Sequence, residues 1–275
     1  MALARYVKAF GRTARLFATA PIDADARLGL RNLADHLAGE PDGNKGGEAP
    51  GLPEVRLDTV DLDTLWPSSQ TLPLSEFSAG NHNVMMLELI ALCVLARLSK
   101  PTRMFEFGTF DGRTGANLLR TCPEVHLTTL DLPDGRVDAQ TAQSRGGPIG
   151  WRMHTPDLEG RWEQIKSVSA EYDYSSLAGT MDFVFVDAGH TYDLVRNDTA
   201  AALKLLKPDG IIAWHDYGHL QGRKPFPGLT RAVDEFFAGR NSAGPAPGKG
   251  IVIRGTRVAA CVPPTLLEPA KGHIA

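Results

Sequence analysis

The stretch Glu106-Phe-Gly108-Thr-Phe110-Asp-Gly112-Arg-Thr114 follows an apolar run of strand length and opens a helical pattern. Two glycines in such a turn let the backbone approach a ligand closely. Glu106, in the strand end, offers an anion that can hold an ammonium group. Asp131 ends the next apolar run, where an acid is placed to accept hydrogen bonds from the two hydroxyls of a ribose. Alone, the two-glycine turn also reads as a tight strand-to-helix connection; Asp131 at the following strand end tips the reading toward a ligand. A nicotinamide dinucleotide calls for G-x-G-x-x-G. The loop here reads G-T-F-D-G-R-T-G, without the close second glycine, and no Tyr-x-x-x-Lys occurs in the chain.

A second group is acidic and imidazole-bearing. Asp187 ends one apolar run, and His215 and Asp216 end another, 28 and 29 positions later. Adjacent parallel strands lie about 5 Å apart, so these side chains can converge. Carboxylate, imidazole and carboxylate form a possible divalent-ion set. A nitrogen ligand suits magnesium less well than oxygen does, which brings manganese, iron or zinc into range. The plainer role for Asp187 and Asp216 is loop-start capping. His190, three residues past Asp187, and His215 are the candidate bases for a hydroxyl proton; for His190 the plainer role is capping or packing in its loop. Tyr192 and Asp198 read as helix-surface or packing residues. Tyr217, His219 and the Gly/Pro-rich run 221–228 read as a loop that can also form a lid or acceptor wall.

The elements that must position these groups follow a rhythm. Strand-length runs stand at 104–107, 125–130, 165–169, 182–186, 211–215, 251–254 and 257–262, with helical patterns at 112–121, 192–206 and 228–238. The alternation predicts a doubly wound α/β fold: a mainly parallel, seven-stranded sheet with helices on both faces. The last two runs, joined at Gly255 and Thr256, predict an antiparallel hairpin on the edge. Residues 83–98 are almost continuously apolar and predict a buried helix capped by Asn81 or Asn83. The domain division is an N-terminal helical accessory region, 1–77, and a catalytic domain, 78–275. The accessory region contains two amphipathic patterns, near 1–20 and 23–38, and a Gly/Pro-rich linker at 41–53.

The motif EFGTFDGRT resembles the first motif of class I S-adenosylmethionine-dependent methyltransferases, in the E-x-G-x-x-x-G-x-[ST] form of the catechol-type O-methyltransferases. The stretch from Met181 to Tyr217 resembles a bacterial group of O-methyltransferases and proteins labelled cephalosporin hydroxylases; the likeness spans about 78–262. It implies a Rossmann-like methyltransferase fold that binds S-adenosylmethionine. Glu106, Gly108, Phe110 and Gly112 would lie along the cofactor, Thr114 would bond its carboxylate, Asp131 its ribose, and Ser169 would fall near the adenine. Relatives often carry Gly-Asp-Ser at that last turn, whereas this chain has Ser167-Val168-Ser169, without the acid. Catechol-type relatives hold magnesium with an acid and an Asp-Asn pair; the corresponding positions here are Asp187 and His215-Asp216. The expected catalytic residues are His190, His215 and Asp216, and the expected metal ligands are Asp187, His215 and Asp216, for magnesium or manganese.

Bulk properties narrow the partners. A net charge of −3 gives no global attraction to nucleic acid or anionic membrane. Cys93, Cys122 and Cys261 are far apart, without C-x-x-C, which argues against a disulfide framework or thiolate zinc site and fits a cytoplasmic setting. No run is long and apolar enough to span a bilayer. Residues 1–20 lack acidic side chains, and Arg5, Lys8, Arg12 and Arg15 stand opposite Leu3, Val7, Phe10 and Phe17. The pattern predicts a helix packed on its own fold or on a partner subunit, with a transit peptide or membrane-surface helix as alternatives. The expected function is O-methylation of a hydroxyl on a small molecule, a sugar or natural product, by a homo-oligomer. The alternatives are an iron-dependent hydroxylase-like enzyme using His190, His215 and Asp187, and an inactive cofactor-binding partner protein.

Overall fold

The computed structural model describes residues 55, 57–66, 70–80, 82–133, 135–137, 139–222, 225–240 and 244–267. The two N-terminal amphipathic patterns and the 41–53 linker lie outside the described residues. All described residues belong to one unit, Pro53–Ala275.

Eight strands form one sheet: β1 (Asp58–Val60), β2 (Arg103–Phe107), β3 (His126–Asp131), β4 (Trp162–Lys166), β5 (Met181–Val186), β6 (Leu206–Trp214), β7 (Lys249–Ile253) and β8 (Ala259–Val262). The helices are α1 (Leu62–Leu65), α2 (Met86–Leu98), α3 (Arg113–Thr121), α4 (Ala139–Arg145), α5 (Tyr192–Leu205) and α6 (Pro227–Phe237). Strand order is β1-β7-β8-β6-β5-β2-β3-β4. Only β8 runs antiparallel to its neighbours. From β2 the chain winds outward through β3 and β4, then returns to β5 on the other side of β2. The strand order reverses there, and ligands of doubly wound sheets bind at the carboxyl ends of strands flanking such a point.

Side chains alternate across a strand, and a parallel sheet covered on both faces buries both sets. Met104, Phe183, Phe185, Ile211 and Ala213 face one core with α2 and α3. Phe105, Phe107, Val184, Val186, Ile212 and Trp214 face the other with α5 and α6. Each such side chain contributes about 1.5–3 kcal/mol on burial. Glu106 alternates with Met104 and so takes a place on the first face that its neighbours fill with apolar groups.

The sheet differs from the sequence expectation in several places, among them β6, which begins at Leu206 rather than 211. The sheet has eight strands rather than seven: β1, from the region assigned to the accessory segment, pairs in parallel with β7. The β7–β8 hairpin is therefore not the edge. Three residues, Asp-Thr-Val, are too short for a period-2 signal. β4 spans 162–166 rather than 165–169, because its register on β3 runs from Leu127↔Trp162 to Asp131↔Lys166. As a half-exposed edge strand it lacks the continuous apolar run of the central strands. No helix among the described residues is long and apolar enough to cross a membrane.

Of the two readings of Asp198, helix surface or packing, the structure shows the second. The residue lies on the inner face of α5, 1% exposed, beside Thr199, which accepts a hydrogen bond from Trp214 Nε1 at 2.9 Å. Its carboxylate oxygens have no well-aligned donor. Burial pushes it up to about 6, and the Ser169 hydroxyl offsets only part of that. An acid raised above its unfolded range binds its proton more tightly when folded, so stability falls as pH rises from about 4 to 6. Asp198→Asn is expected to stabilise the protein at pH 7.5 by up to about 3 kcal/mol, an advantage that disappears near pH 4. Thermal melts of both proteins across this range check it; equal melting at pH 7.5 would show that Asp198 is not held against its ionisation.

Candidate active site

The loop after β2 is shaped by close backbone approaches. Gly108 has φ +89, and a Cβ there would lie 2.4 Å from the Asp187 carbonyl oxygen, so only glycine fits. Gly112 has φ +85 at the entrance to α3, with the Gly150 backbone 3.0 Å from an added Cβ. Phe110, between them, also has positive φ, 49°. The Asp131 carboxylate organises this loop: Oδ2 accepts from Thr109 N at 2.9 Å and Phe110 N at 2.8 Å, and Oδ1 accepts from Leu132 N at 2.7 Å. Thr114 is half-buried in the first turn of α3. Ser169 is half-buried after β4, its carbonyl accepting the Tyr174 hydroxyl at 2.8 Å.

Glu106 is 1% exposed, and its Oε2 has no hydrogen-bond partner among the described residues. Burial pushes it well above the usual carboxylate range, and the charges of Asp187, Asp131 and Asp111 add to this. A cationic group reaching this oxygen would reverse both effects.

Across the switch point, the ends of β5 and β6 bring Asp187, His190, His215 and Asp216 together. His190 Nε2 lies 2.9 Å from Asp216 Oδ2 and 4.0 Å from Asp187 Oδ1. Asp216 has φ +63, a left-handed conformation that aspartate tolerates better than most residues and that recurs at functional sites. Its Oδ1 pairs with Arg257 Nη2 and lies 3.2 Å from His215 Nδ1. Burial acts to raise Asp216, but the His190 hydrogen bond and the charges of His215, His190 and Arg257 bring it below its ordinary value.

His215 occupies a different place from the one its position in the sequence suggests. It is 4% exposed, and both ring nitrogens face carboxylates: Nε2 is 2.8 Å from Glu88 Oε2, and Nδ1 is 3.2 Å from Asp187 Oδ1. Burial pulls the imidazole down, but the charge and hydrogen bond of Asp187, then the hydrogen bond of Glu88 and the charge of Asp216, push it up to about 10. With a carboxylate beside each ring nitrogen, His215 turns neither of them to open space. The group that can surround one ion is instead Asp187, His190 and Asp216, whose candidate ligand atoms lie within 4.8 Å of one another.

Sequence reasoning missed Glu88 and Arg257. Glu88 is fully buried near the start of α2; it also accepts Met85 N at 2.8 Å and Arg257 N at 3.3 Å. Its one signal was a single carboxylate inside an otherwise apolar helical run. Arg257, 2% exposed beside β8, carried no comparable signal.

Residues 105–217 match the family model described as a methyltransferase domain. No curated protein matches the chain. Among solved structures, the chain is similar to an O-methyltransferase from Bacillus cereus in complex with SAH, with 19% identity, TM-score 0.47, and 66% of this chain and 83% of that one covered. It is also similar to an O-methyltransferase from Streptomyces achromogenes involved in tomaymycin synthesis, in complex with SAM, with 24% identity, TM-score 0.45, and coverage of 66% and 82%.

Proposed function

We propose, from the methyltransferase domain matched over residues 105–217, that this chain is an S-adenosylmethionine-dependent O-methyltransferase acting on a hydroxyl of a small molecule. The observation that carries the reading is the backbone contact between the two halves of the site. At Gly108 the cofactor-type loop packs so closely on Asp187 that no side chain fits between them. The groups suited to a nucleoside and an ammonium therefore lie beside the groups suited to proton transfer.

The residues present fit the cofactor. The unpartnered Glu106 oxygen suits its ammonium group, Thr114 its carboxylate, and Asp131 its ribose. The Asp131 carboxylate has lone pairs beyond the three used by the loop. Gly108, Phe110 and Gly112 would shape the wall, and Ser169 would be on the adenine side. When bound, S-adenosylmethionine supplies an electrophilic methyl group. The chain must hold the acceptor oxygen in line and lower the cost of removing its proton. His190 takes that proton. With Nε2 on Asp216, Nδ1 is the nitrogen that receives it, and Asp216 stabilises the imidazolium that forms. His215 and Arg257 keep Asp216 ionised and in place.

A divalent ion is the second reading, favoured by the spacing of Asp187, His190 and Asp216. These three would hold it, manganese more readily than magnesium because one donor is nitrogen. Its chemistry would be to acidify the acceptor hydroxyl. His215 belongs to neither the ligand set nor the base; its part is to position Asp187 and Asp216. An iron site built from His190, His215 and Asp187 finds no support, since both nitrogens of His215 are engaged. A homo-oligomer and a cytoplasmic setting remain part of the proposal, motivated by the amphipathic pattern of residues 1–38 and by the cysteine usage.

Calorimetry with S-adenosylhomocysteine tests the binding half of the reading. Glu106→Gln keeps the shape and removes the anion, and is expected to weaken binding by about 1.5–3 kcal/mol, the worth of a hydrogen bond to a charged group. Affinity equal to that of the unaltered protein would refute the cofactor assignment. An inactive binding protein would bind equally well but turn over no S-adenosylmethionine with any acceptor.

A further inference from the structure

Among the described residues, His190 meets carboxylates through one nitrogen, Nε2, whose 2.9 Å approach to Asp216 Oδ2 is not well aligned for a hydrogen bond. A histidine χ2 torsion is broad and roughly two-fold, so a single contact to Asp216 does not by itself fix the ring plane. The Phe226 ring supplies the missing constraint. It stacks on the imidazole with centroids 4.1 Å apart and planes 20° from parallel. The same phenyl ring lies 5.8 Å from the Arg257 guanidinium carbon, and Arg257 in turn pairs with Asp216. His190, Phe226 and Arg257 thus close a ring of contacts around one carboxylate.

Phe226 itself is fixed by its backbone. Its carbonyl accepts from Thr230 N at 3.0 Å and from Thr230 Oγ1 at 3.2 Å, and that hydroxyl also accepts from Gly218 N at 3.0 Å. Two residues on, Gly228 sits so close to the histidine loop that an added Cβ would lie 2.8 Å from Tyr192 N and 3.4 Å from the His190 carbonyl oxygen. The entrance of α6 and the loop bearing His190 are therefore packed backbone against backbone.

We propose that Phe226 is a positioning residue: its flat face sets the plane of His190 so that Nε2 stays on Asp216 and Nδ1 is presented to the acceptor. The proposal rests on the reading of His190 as the proton acceptor, and deepens it. Phe226→Leu keeps apolar bulk and removes the flat face; Phe226→Met does the same with a more flexible chain, should the first variant fold poorly.

The direct readout needs no acceptor. Two-bond ¹H–¹⁵N spectra of histidine-labelled protein, with the His190 signals identified by their loss in His190→Ala, report which nitrogen carries the proton. The unaltered protein is expected to show one Nε2–H tautomer, and the Phe226 variants to lose that single pattern while melting normally. A His190 pattern unchanged in a folded Phe226 variant overturns the proposal. Turnover supplies the second arm, measured with tritiated S-adenosylmethionine and the best acceptor from a panel of phenols, catechols and sugars. Phe226→Leu is expected to lower turnover on the order of tenfold, as a small misplacement of a catalytic group does. S-adenosylhomocysteine affinity should not change, and no further loss should appear in the His190→Ala background. Losses that multiply in the double variant, or no loss beside an impaired His190→Ala, overturn the proposal alone. No loss in His190→Ala overturns the reading of His190 and this proposal with it.

Discussion

Replacing His190 by alanine is expected to lower turnover on the order of a hundredfold, the usual worth of a general base, while leaving S-adenosylhomocysteine affinity unchanged. The split follows from geometry. His190 sits with Asp216 at the ends of β5 and β6, 2.9 Å from that carboxylate, whereas the groups suited to the cofactor stand on the loop after β2 and at the end of β3. The side chain is a third exposed, so it can meet an incoming acceptor, whereas His215 is enclosed between carboxylates. Chelation separates the two ways His190 can act. If it is the base, turnover survives a chelator but falls on the order of a hundredfold in His190→Ala. If it is a ligand with Asp187 and Asp216, the chelator stops turnover and manganese restores it. Full activity in His190→Ala would remove both readings and leave the proton to another group.

His215→Ala is expected to destabilise the protein by about 3–5 kcal/mol, because it strands buried carboxylates that the imidazolium now compensates. Glu88 is fully buried, and the Asp187 side chain is only 19% exposed. Burial acts to raise Glu88, but the hydrogen bond and charge of His215, with Met85 N and Arg257 N, hold it down at about 2. The signs define a stability window. His215 is raised to about 10, so its contribution is complete below its unfolded value near 6.5 and is lost as pH rises toward 10. Glu88 is lowered, so its contribution is complete above its ordinary value of 4.5 and is lost as pH falls toward 2. Together they favour the folded state most between about pH 4.5 and 6.5. Denaturant titrations should show the unaltered protein weakening from pH 7 to pH 9.5 and the variant, already weak, changing less. Equal stability of the two at pH 6 would mean that His215 is not a buried cation.

Local spacing made part of this protein legible in its sequence. The alternation of strand-length runs with helical patterns marked a doubly wound sheet, because burial on both faces leaves continuous apolar runs such as Asp-Phe-Val-Phe-Val, 182–186. Glu106-x-Gly108 and Asp131 stood out because each lies where a strand ends, and a strand end is a local feature. The methyltransferase likeness carried by those motifs agrees with the family match over 105–217. β1 escaped notice because three edge residues hold no period.

What surrounds each of the two histidines was decided only by tertiary structure. His190 and His215 are the same residue type, each near a strand end and each beside aspartates, so no local pattern separates them. What separates them is Glu88, 127 residues away on α2, which meets His215 Nε2 at 2.8 Å and encloses it between carboxylates. His190, itself a third exposed, meets instead the buried Asp216 carboxylate and the face of Phe226, which arrives from the entrance of α6. Sequence periodicity reports which face of its own element a residue occupies, but not which residue of another element stands opposite. A buried ion pair depends on that second fact, since its charge state is set by the nearest opposite charge and by the exclusion of water. Asp198 illustrates the same limit. Its place on α5 was visible, but that the fold closes over it, almost without a hydrogen-bond donor, follows only from the packing of α5 against β6 and the turn after β4.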